Sequence, residues 1–128
     1  MPSTARQHHT QQIHYLRKSV TFADNGKAVV VGTIPAGATI LKPVTGVVVD
    51  TVFNAGTTNV IDIGTSADDG LYGTDLALGT RAFVPLDEAV AMTVAEDTTI
   101  VATVVLAGTA ATAGAAEVIV SFIPDNDG

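Results

Sequence analysis

The sequence predicts an all-β protein, an antiparallel β-sandwich of about eight strands, and three observations carry this prediction. Val and Thr supply 18 residues each, and β-branched side chains suit a pleated sheet but lose rotamer freedom in helices. Twelve glycines and five prolines interrupt the chain at short intervals. Between these breaks run short apolar segments, spaced by roughly 8 to 15 residues, a pattern typical of sandwiches, the jelly roll among them.

The length of 128 residues allows one domain of ordinary size. Charge is unevenly distributed along it: residues 1–23 carry a net charge of +3 and no acid, and the rest carries −10. Apolar alternation begins only at Ile13. We therefore expect a flexible basic arm over residues 1–11 and a single sandwich domain over residues 12–128.

The sharpest local signal is the tetrapeptide DNGK at residues 24–27. Asn-Gly suits the positive φ angles of a type I′ turn between two apolar runs. Pairing Asp24 with Lys27 collects apolar side chains on one face of both runs. The sequence therefore predicts a β-hairpin of residues 13–22 and 28–34.

Further strands follow from the same reasoning. Pro35 and Gly37 predict a tight turn, after which residues 39–53 are extended and bent near Pro43 or Gly46. The remaining strand predictions cover residues 58–63, 81–84, 88–94, 98–106 and 116–123. Residues 64–80 lack periodicity and are predicted to be a long loop, and such loops are often functional.

The strand predicted at 98–106 is uncharged on both faces, although a sandwich strand normally alternates apolar with polar residues. The face that points away from the core carries Val101, Thr103 and Val105. A domain of this size buries only about two thirds of the surface of its unfolded chain. We therefore expect a homo-oligomer with these three residues at the subunit interface.

Composition excludes several classes of function. The net charge of −7 disfavours binding to nucleic acid, which needs clustered Lys and Arg. The absence of cysteine excludes disulfides, thiolate metal sites and a thiol nucleophile. The sequence has no apolar run long enough to predict a signal peptide or a membrane span. We therefore expect synthesis in the cytoplasm.

Catalytic motifs are also missing. The serines lie in no nucleophile-elbow sequence, and no phosphate-binding loop is present. Asp68 and Asp69, or Asp87 and Glu88, are adjacent in sequence, so on a strand they would point to opposite faces and not converge on a glycosidic bond. We expect no enzymatic activity and no cofactor.

Two metal sites are conceivable, and for each the simpler alternative is favoured. Three histidines lie near the amino terminus, where a solvated tail is the simpler interpretation: His8, His9 and His14. Four aspartates surround glycines, but their spacing matches no calcium loop and a water-facing loop accounts for them: Asp62, Asp68, Asp69 and Asp75.

Three segments resemble small structural proteins of tailed bacteriophages: VGTIPAGATI at 31–40, VVVDTVFNAGTTN at 47–59 and IDIGTS at 61–66. The resemblance covers about residues 31–70. Within that group, the length, the acidity and the lack of catalytic residues are similar to capsid decoration, or cement, proteins. The resemblance implies a homo-oligomer, often a trimer, that binds the major capsid protein on the outer surface of the virion.

The sequence itself adds one candidate contact for that role, a basic arm that carries Arg6, Arg17 and Lys18. Such a segment would lie along an acidic groove of a neighbouring subunit and become ordered on binding. An alternative function is an adhesion or carbohydrate-binding module of a head or tail fibre that uses the loop at 64–80, with Tyr72 as a sugar platform. An enzyme on a jelly-roll scaffold is the third hypothesis.

Overall fold

The computed structural model describes residues 12–124, which form two antiparallel sheets packed face to face. Within this range there are two short 3-10 turns, Phe22–Asp24 and Lys42–Val44, and no helix with the length and apolar character needed to cross a membrane. The strands are β1 His14–Thr21, β2 Ala28–Ile34, β3 Thr39–Ile40, β4 Gly46–Thr51, β5 Thr58–Gly64, β6 Gly73–Ala77, β7 Phe83–Pro85, β8 Thr98–Ala107 and β9 Ala115–Ile123.

The strand order is that of a jelly roll. Sheet A has the order β1-β9-β4-β7, with the two-residue β3 also paired to β9, and sheet B has the order β2-β8-β5-β6. Each strand of sheet A thus has a counterpart in sheet B that is next to it in the chain: β1 with β2, β9 with β8, β4 with β5 and β7 with β6. The predicted all-β sandwich is confirmed, with nine strands in the described range.

The core lies between the two sheets and is built by alternation along the central strands. On β8, Ile100, Ala102 and Val104 are buried, and Ala116, Val118 and Val120 are their counterparts on β9. Because successive side chains point to opposite faces, each strand contributes every second residue to this layer. Burial of a Val or Ile side chain stabilises the fold by about 1.5 to 3 kcal/mol.

The predicted hairpin of residues 13–22 and 28–34 is wrong. β1 pairs with β9, and β2 pairs with β8 in the other sheet. The two strands instead face each other across the core, where a Cβ on Gly32 of β2 would lie 2.9 Å from the side chain of Leu16 on β1. Their apolar faces match because both strands cover the same core. A hairpin would give the same match, so the sequence pattern does not distinguish the two arrangements.

The DNGK turn leads the chain from β1 in sheet A to β2 in sheet B and does not connect two paired strands of a hairpin. Lys27 N–H donates to the Asp24 carbonyl at 2.9 Å. Asn25 has φ −51° and ψ 125°, and Gly26 has φ +79°, which together define a type II turn instead of the type I′ turn predicted. Just before it, Thr21 and Asp24 form a reciprocal capping box around the first 3-10 turn.

The bent segment at 39–53 is confirmed. β3 and β4 both pair with β9, and the 3-10 turn with Pro43 separates them. The turn before it is also as predicted: Ala38 N–H donates to the Pro35 carbonyl at 3.1 Å, and Gly37 has φ +85°.

Two predictions along the second half of the chain are wrong. The segment at 64–80 contains β6, which pairs with β5 at the edge of sheet B. The segment at 88–94 is not a strand, because it makes a single bridge, Thr39 with Thr93. Its other backbone hydrogen bonds are scattered, and they join Gly37, Ala38, Ile40 and Tyr72. The Lys42 ammonium donates a hydrogen bond to the Glu88 carbonyl at 2.8 Å.

Candidate interaction surfaces

The part of the chain that the structure describes holds no group of three His, Cys, Asp or Glu side chains able to bind a metal ion. An open depression of about 240 Å³ lies at the end of the sandwich where β8 leads to β9. It is lined by small and apolar residues such as Phe22, Ala55 and Leu106, and none of its lining residues is titratable. This depression therefore offers no side chain that could act as a general acid or base.

Two of the four aspartates considered above as calcium ligands, Asp62 and Asp68, bind backbone N–H groups of their own chain. Asp62 accepts from the Asp75 amide at 2.8 Å, and Asp68 accepts from the Gly70 amide at 3.2 Å. Asp87 holds the Thr74 amide at 3.0 Å in the same way. These carboxylates therefore fix the loop that leads into β6.

Asp62 is the carboxylate with the most perturbed environment. Partial burial is the largest cause that raises its pKa, and the negative charges of Asp69, Asp75 and Asp87 raise it further. The hydrogen bond from the Asp75 amide acts in the opposite direction. Asp75 itself has φ +54°, an uncommon conformation for a residue other than glycine.

Tyr72 cannot act as the exposed sugar platform of the adhesion hypothesis. Its side chain is buried in the core, and burial raises the pKa of its hydroxyl. Its amide donates to Ile63 and its carbonyl accepts from Glu88, so the backbone around it is fixed as well. The ring therefore belongs to the core and presents no exposed aromatic face.

The first extended surface is the outer face of sheet B, where the interface at Val101, Thr103 and Val105 was predicted. All three lie on β8. Val105 is 37% exposed and Thr103 is half-buried, but Val101 is only 6% exposed. The most exposed apolar residue of this face is Val30 on β2, at 55%, which is directly opposite Val101.

A neighbouring loop explains the burial of this part of the face. Gly64 on β5 is opposite Val101 on the other side. The loop after β5 passes so close to Gly64 that a Cβ there would lie 2.2 Å from the Asp68 carbonyl oxygen. The exposed apolar surface of sheet B is therefore centred on Val30 and Val105.

The second surface lies on the outer face of sheet A, and sequence reasoning missed it. Tyr15 on β1 is opposite Ser121 on β9, and the Ser121 hydroxyl donates to the Val44 carbonyl at 3.1 Å. Ile123 is two residues further along β9, and Ile13 precedes β1. We call these four side chains the β1–β9 patch, and their exposed fractions are 63% for Ile13, 60% for Tyr15, 51% for Val44 and 42% for Ile123.

The basic residues proposed for the arm have different positions. Arg17 and Lys18 lie on β1, and Arg17 forms an ion pair with Glu117 on β9, 2.6 Å between nitrogen and oxygen. Arg6 lies outside the described residues, as do His8 and His9. His14 stacks on Phe122, with ring centroids 5.8 Å apart.

The architecture is that of a jelly-roll sandwich with exposed apolar residues on the outer faces of both sheets. Comparison of structures finds a similar chain described as "Cyanophage Pam1 capsid asymmetric unit". The TM-score is 0.66, the identity is 18%, and the match covers 90% of this chain and 86% of that one. The two chains are therefore of similar length and share the fold over nearly all of it. No protein-family model and no curated protein matches the sequence.

Proposed function

We propose that this protein is a structural component of a bacteriophage virion that decorates the outer surface of the capsid and stabilises it as a homo-oligomer, a trimer. The observation that carries the proposal is the likeness to a chain from the cyanophage Pam1 capsid asymmetric unit, which extends over nearly the whole of both chains. Because the match covers 86% of that chain, the likeness is not to one domain of a much longer shell protein. The bacteriophage resemblance of residues 31–70 supports the same role.

The outer face of sheet B supports the proposed self-association. Val30 and Val105 present apolar surface to solvent on adjacent strands, and the predicted interface residue Thr103 lies between them along the sheet. Large exposed apolar areas on a soluble domain mark sites of association. Val101 lies beside Val30 on this face but is only 6% exposed, so it would add little direct contact.

The proposed mechanism is mechanical. A protein that binds only the assembled shell, and bridges neighbouring major capsid protein subunits, stabilises the shell by mass action. At a free concentration of 100 times the dissociation constant, each occupied site contributes about 2.7 kcal/mol. Such a role requires neither an active site nor a cofactor.

The basic residues at the amino-terminal side supply the proposed electrostatic contact with the capsid. Arg17 is exposed in its pair with Glu117, and an exposed pair of this kind contributes only about 0 to 1 kcal/mol, so exchange of partners costs little. Together with Lys18 and Arg6, it would direct this side of an acidic protein toward carboxylates of a capsid subunit. Removal of residues 1–11 is expected to weaken binding and leave the melting temperature of the body unchanged.

Reconstitution tests the function. Purified protein is mixed with shells of the major capsid protein encoded beside it and, separately, with the unassembled subunit. We expect stoichiometric co-sedimentation with the shell only, and a higher temperature of shell rupture when the sites are filled. Absence of binding to assembled shells would refute the proposal.

A further inference from the structure

The DNGK turn contains a chemically labile pair, Asn25 followed by Gly26. Asparagine is a thermolabile residue, because its side-chain amide can be lost as ammonia. This loss requires the main-chain nitrogen of the next residue to reach Cγ of the asparagine. Glycine has no Cβ to obstruct the approach. Of the four asparagines in the chain, Asn25 alone precedes glycine, so its sequence context is the most reactive.

In the folded protein, both reacting groups of this pair are bound to β8. The Gly26 N–H donates to the Val104 carbonyl at 2.8 Å, and Oδ1 of Asn25 accepts from the Leu106 N–H at 2.9 Å. Val104 is fully buried, and Asn25 forms an isolated bridge with it. The nitrogen that must lose its proton is therefore occupied, and the side-chain amide is held against the strand.

The main-chain conformation of Asn25 also opposes the reaction. Ring closure requires Cβ of Asn25 and the nitrogen of Gly26 to eclipse each other about the Cα–C bond. Asn25 has φ −51° and ψ 125°, as the first central residue of a type II turn does, and at this ψ the two atoms lie far from eclipsed. A large rotation about ψ must come first, and it would break the hydrogen bonds to β8.

The turn is held from its amino-terminal side as well. The Thr21 N–H donates to the Asp24 carboxylate at 2.8 Å, and the Ala23 N–H donates to the Thr21 hydroxyl at 3.3 Å. The Lys27 N–H donates to the Asp24 carbonyl at 2.9 Å. These bonds fix the residues on both sides of Asn25, so the turn must open locally before the main chain can rotate.

We propose that Asn25 is a latent deamidation site, which the attachment of the DNGK turn to β8 protects and local opening of the turn exposes. In the opened turn, the Gly26 nitrogen forms a bond to Cγ of Asn25, and the Cγ–Nδ2 bond breaks. Ammonia leaves with the proton that Gly26 gives up. One water molecule then opens the cyclic imide at either carbonyl, which gives aspartate or isoaspartate. This reactivity belongs to the chain itself and does not depend on the proposed function.

The test measures deamidation of the full-length protein in a mildly alkaline buffer, with and without guanidinium chloride. Conversion of each amide to a carboxylate is followed by mass spectrometry of proteolytic peptides. In denaturant, we expect Asn25 to react faster than Asn54 and Asn59, which precede alanine and valine. In the folded protein, we expect Asn25 to react at least about tenfold more slowly than in the denatured chain, because two hydrogen bonds to β8 must first break.

Two variants show whether the turn itself controls the rate. Asp24→Ala removes the carboxylate that holds the Thr21 amide. Asp97→Ala is the matched control, because Asp97 accepts from the Ala36 amide at 2.9 Å, near the opposite end of β2. Each folded-state rate is divided by the rate of the same variant in denaturant. We expect Asp24→Ala to raise this ratio at least about threefold, and the control to keep the wild-type ratio.

Each other outcome overturns the inference. Equal rates at Asn25 in the folded and denatured wild-type protein would do so whether or not the variants fold. A faster reaction at Asn54 or Asn59 in denaturant would show that the following glycine does not make Asn25 the reactive site. An unchanged ratio in Asp24→Ala would show that the turn does not control the reaction. An equal rise in Asp97→Ala would assign the rate to unfolding of the whole domain.

Discussion

At the scale of single residues, carboxylates and glycines hold the connections between strands in place. Asp62, Asp68 and Asp87 each accept a hydrogen bond from a backbone amide near the start of β6. Asp62 does so at a cost, because burial and neighbouring negative charges raise its pKa. The sequence shows the acids and glycines of this segment. A loop whose carboxylates face water has the same composition as one whose carboxylates bind backbone amides, so the sequence does not distinguish them.

The raised pKa of Asp62 predicts how stability depends on pH. Because the folded protein binds a proton there more readily than the unfolded chain, the free energy of unfolding falls as pH rises from the ordinary value of 3.8 through the raised folded-state pKa. Asp62→Asn keeps the acceptor for the Asp75 amide and removes the charge. We expect a higher melting temperature than wild type at pH 7 and an equal one at pH 3.

Asp50→Asn is the control for that experiment, since it removes one negative charge from an exposed position on β4. Its melting temperature at pH 7 should stay near that of wild type. An advantage of Asp62→Asn that persisted at pH 3 would contradict the assignment of the effect to the charge.

Gly114 predicts a steric effect at a loop end. Its φ is +150°, and a Cβ there would lie 2.5 Å from a ring carbon of Phe53, which is buried. Gly114→Ala is expected to lower the free energy of unfolding by about 1 to 3 kcal/mol, the usual cost of overpacking. Gly79→Ala, where a Cβ meets nothing within 4 Å, should change it by less than about 0.5 kcal/mol. Equal effects in denaturant titrations would show that the ring is free to move.

At the scale of elements, local pattern predicted strands well and their partners poorly. β8 and β9 were predicted to within one residue of their ends because each is a run of nine or more residues rich in β-branched side chains. The β1–β2 hairpin was wrong because Asn-Gly is compatible with both type I′ and type II turns, and the choice depends on long-range pairing with β8 and β9. β6 was missed because its sequence, GTDLA, is short and begins with glycine.

The side chain of Asn54 joins the β4–β5 connection to the β8–β9 connection, at the end of the sandwich where the depression lies. Asn54 accepts from the Thr112 and Ala113 amides at 2.9 and 3.1 Å and donates to the Thr112 hydroxyl at 2.9 Å. Asn54→Ala should speed hydrogen exchange at both amides, since each lost bond is worth about 0.5 to 1.5 kcal/mol. Exchange at Val118, in the core of β9, should not change. Unchanged exchange at residues 112 and 113 would show that the loop is held by other contacts.

At the scale of the whole molecule, the outer faces of both sheets carry exposed apolar residues, and the described residues include no group of three His, Cys, Asp or Glu able to bind a metal ion. The interface residues predicted on β8 lie on the outer face of sheet B, but Val30, the most exposed apolar residue of that face, follows only from the pairing of β2 with β8. The β1–β9 patch could not be predicted for the same reason, because Tyr15, Val44 and Ile123 come together only through sheet A.

The proposed self-association through sheet B gives a direct prediction. Val30→Asp places a charge on the exposed apolar surface, and burying it against another copy would carry a desolvation cost. We expect the variant to be a 13.0 kDa monomer by light scattering at concentrations where the wild-type protein is oligomeric. Thr80→Asp, at an exposed position between β6 and β7, should leave the oligomer intact. An oligomer that survives Val30→Asp would place the interface elsewhere.

The central claim is that this chain functions as a part of a capsid exterior. Electron cryo-microscopy of the particles produced by the genome that encodes it tests this most directly. The account predicts jelly-roll density in stoichiometric amount on the outer surface of the shell, with the outer face of sheet B toward neighbouring copies. Mature particles that contain no copy of the chain would contradict it.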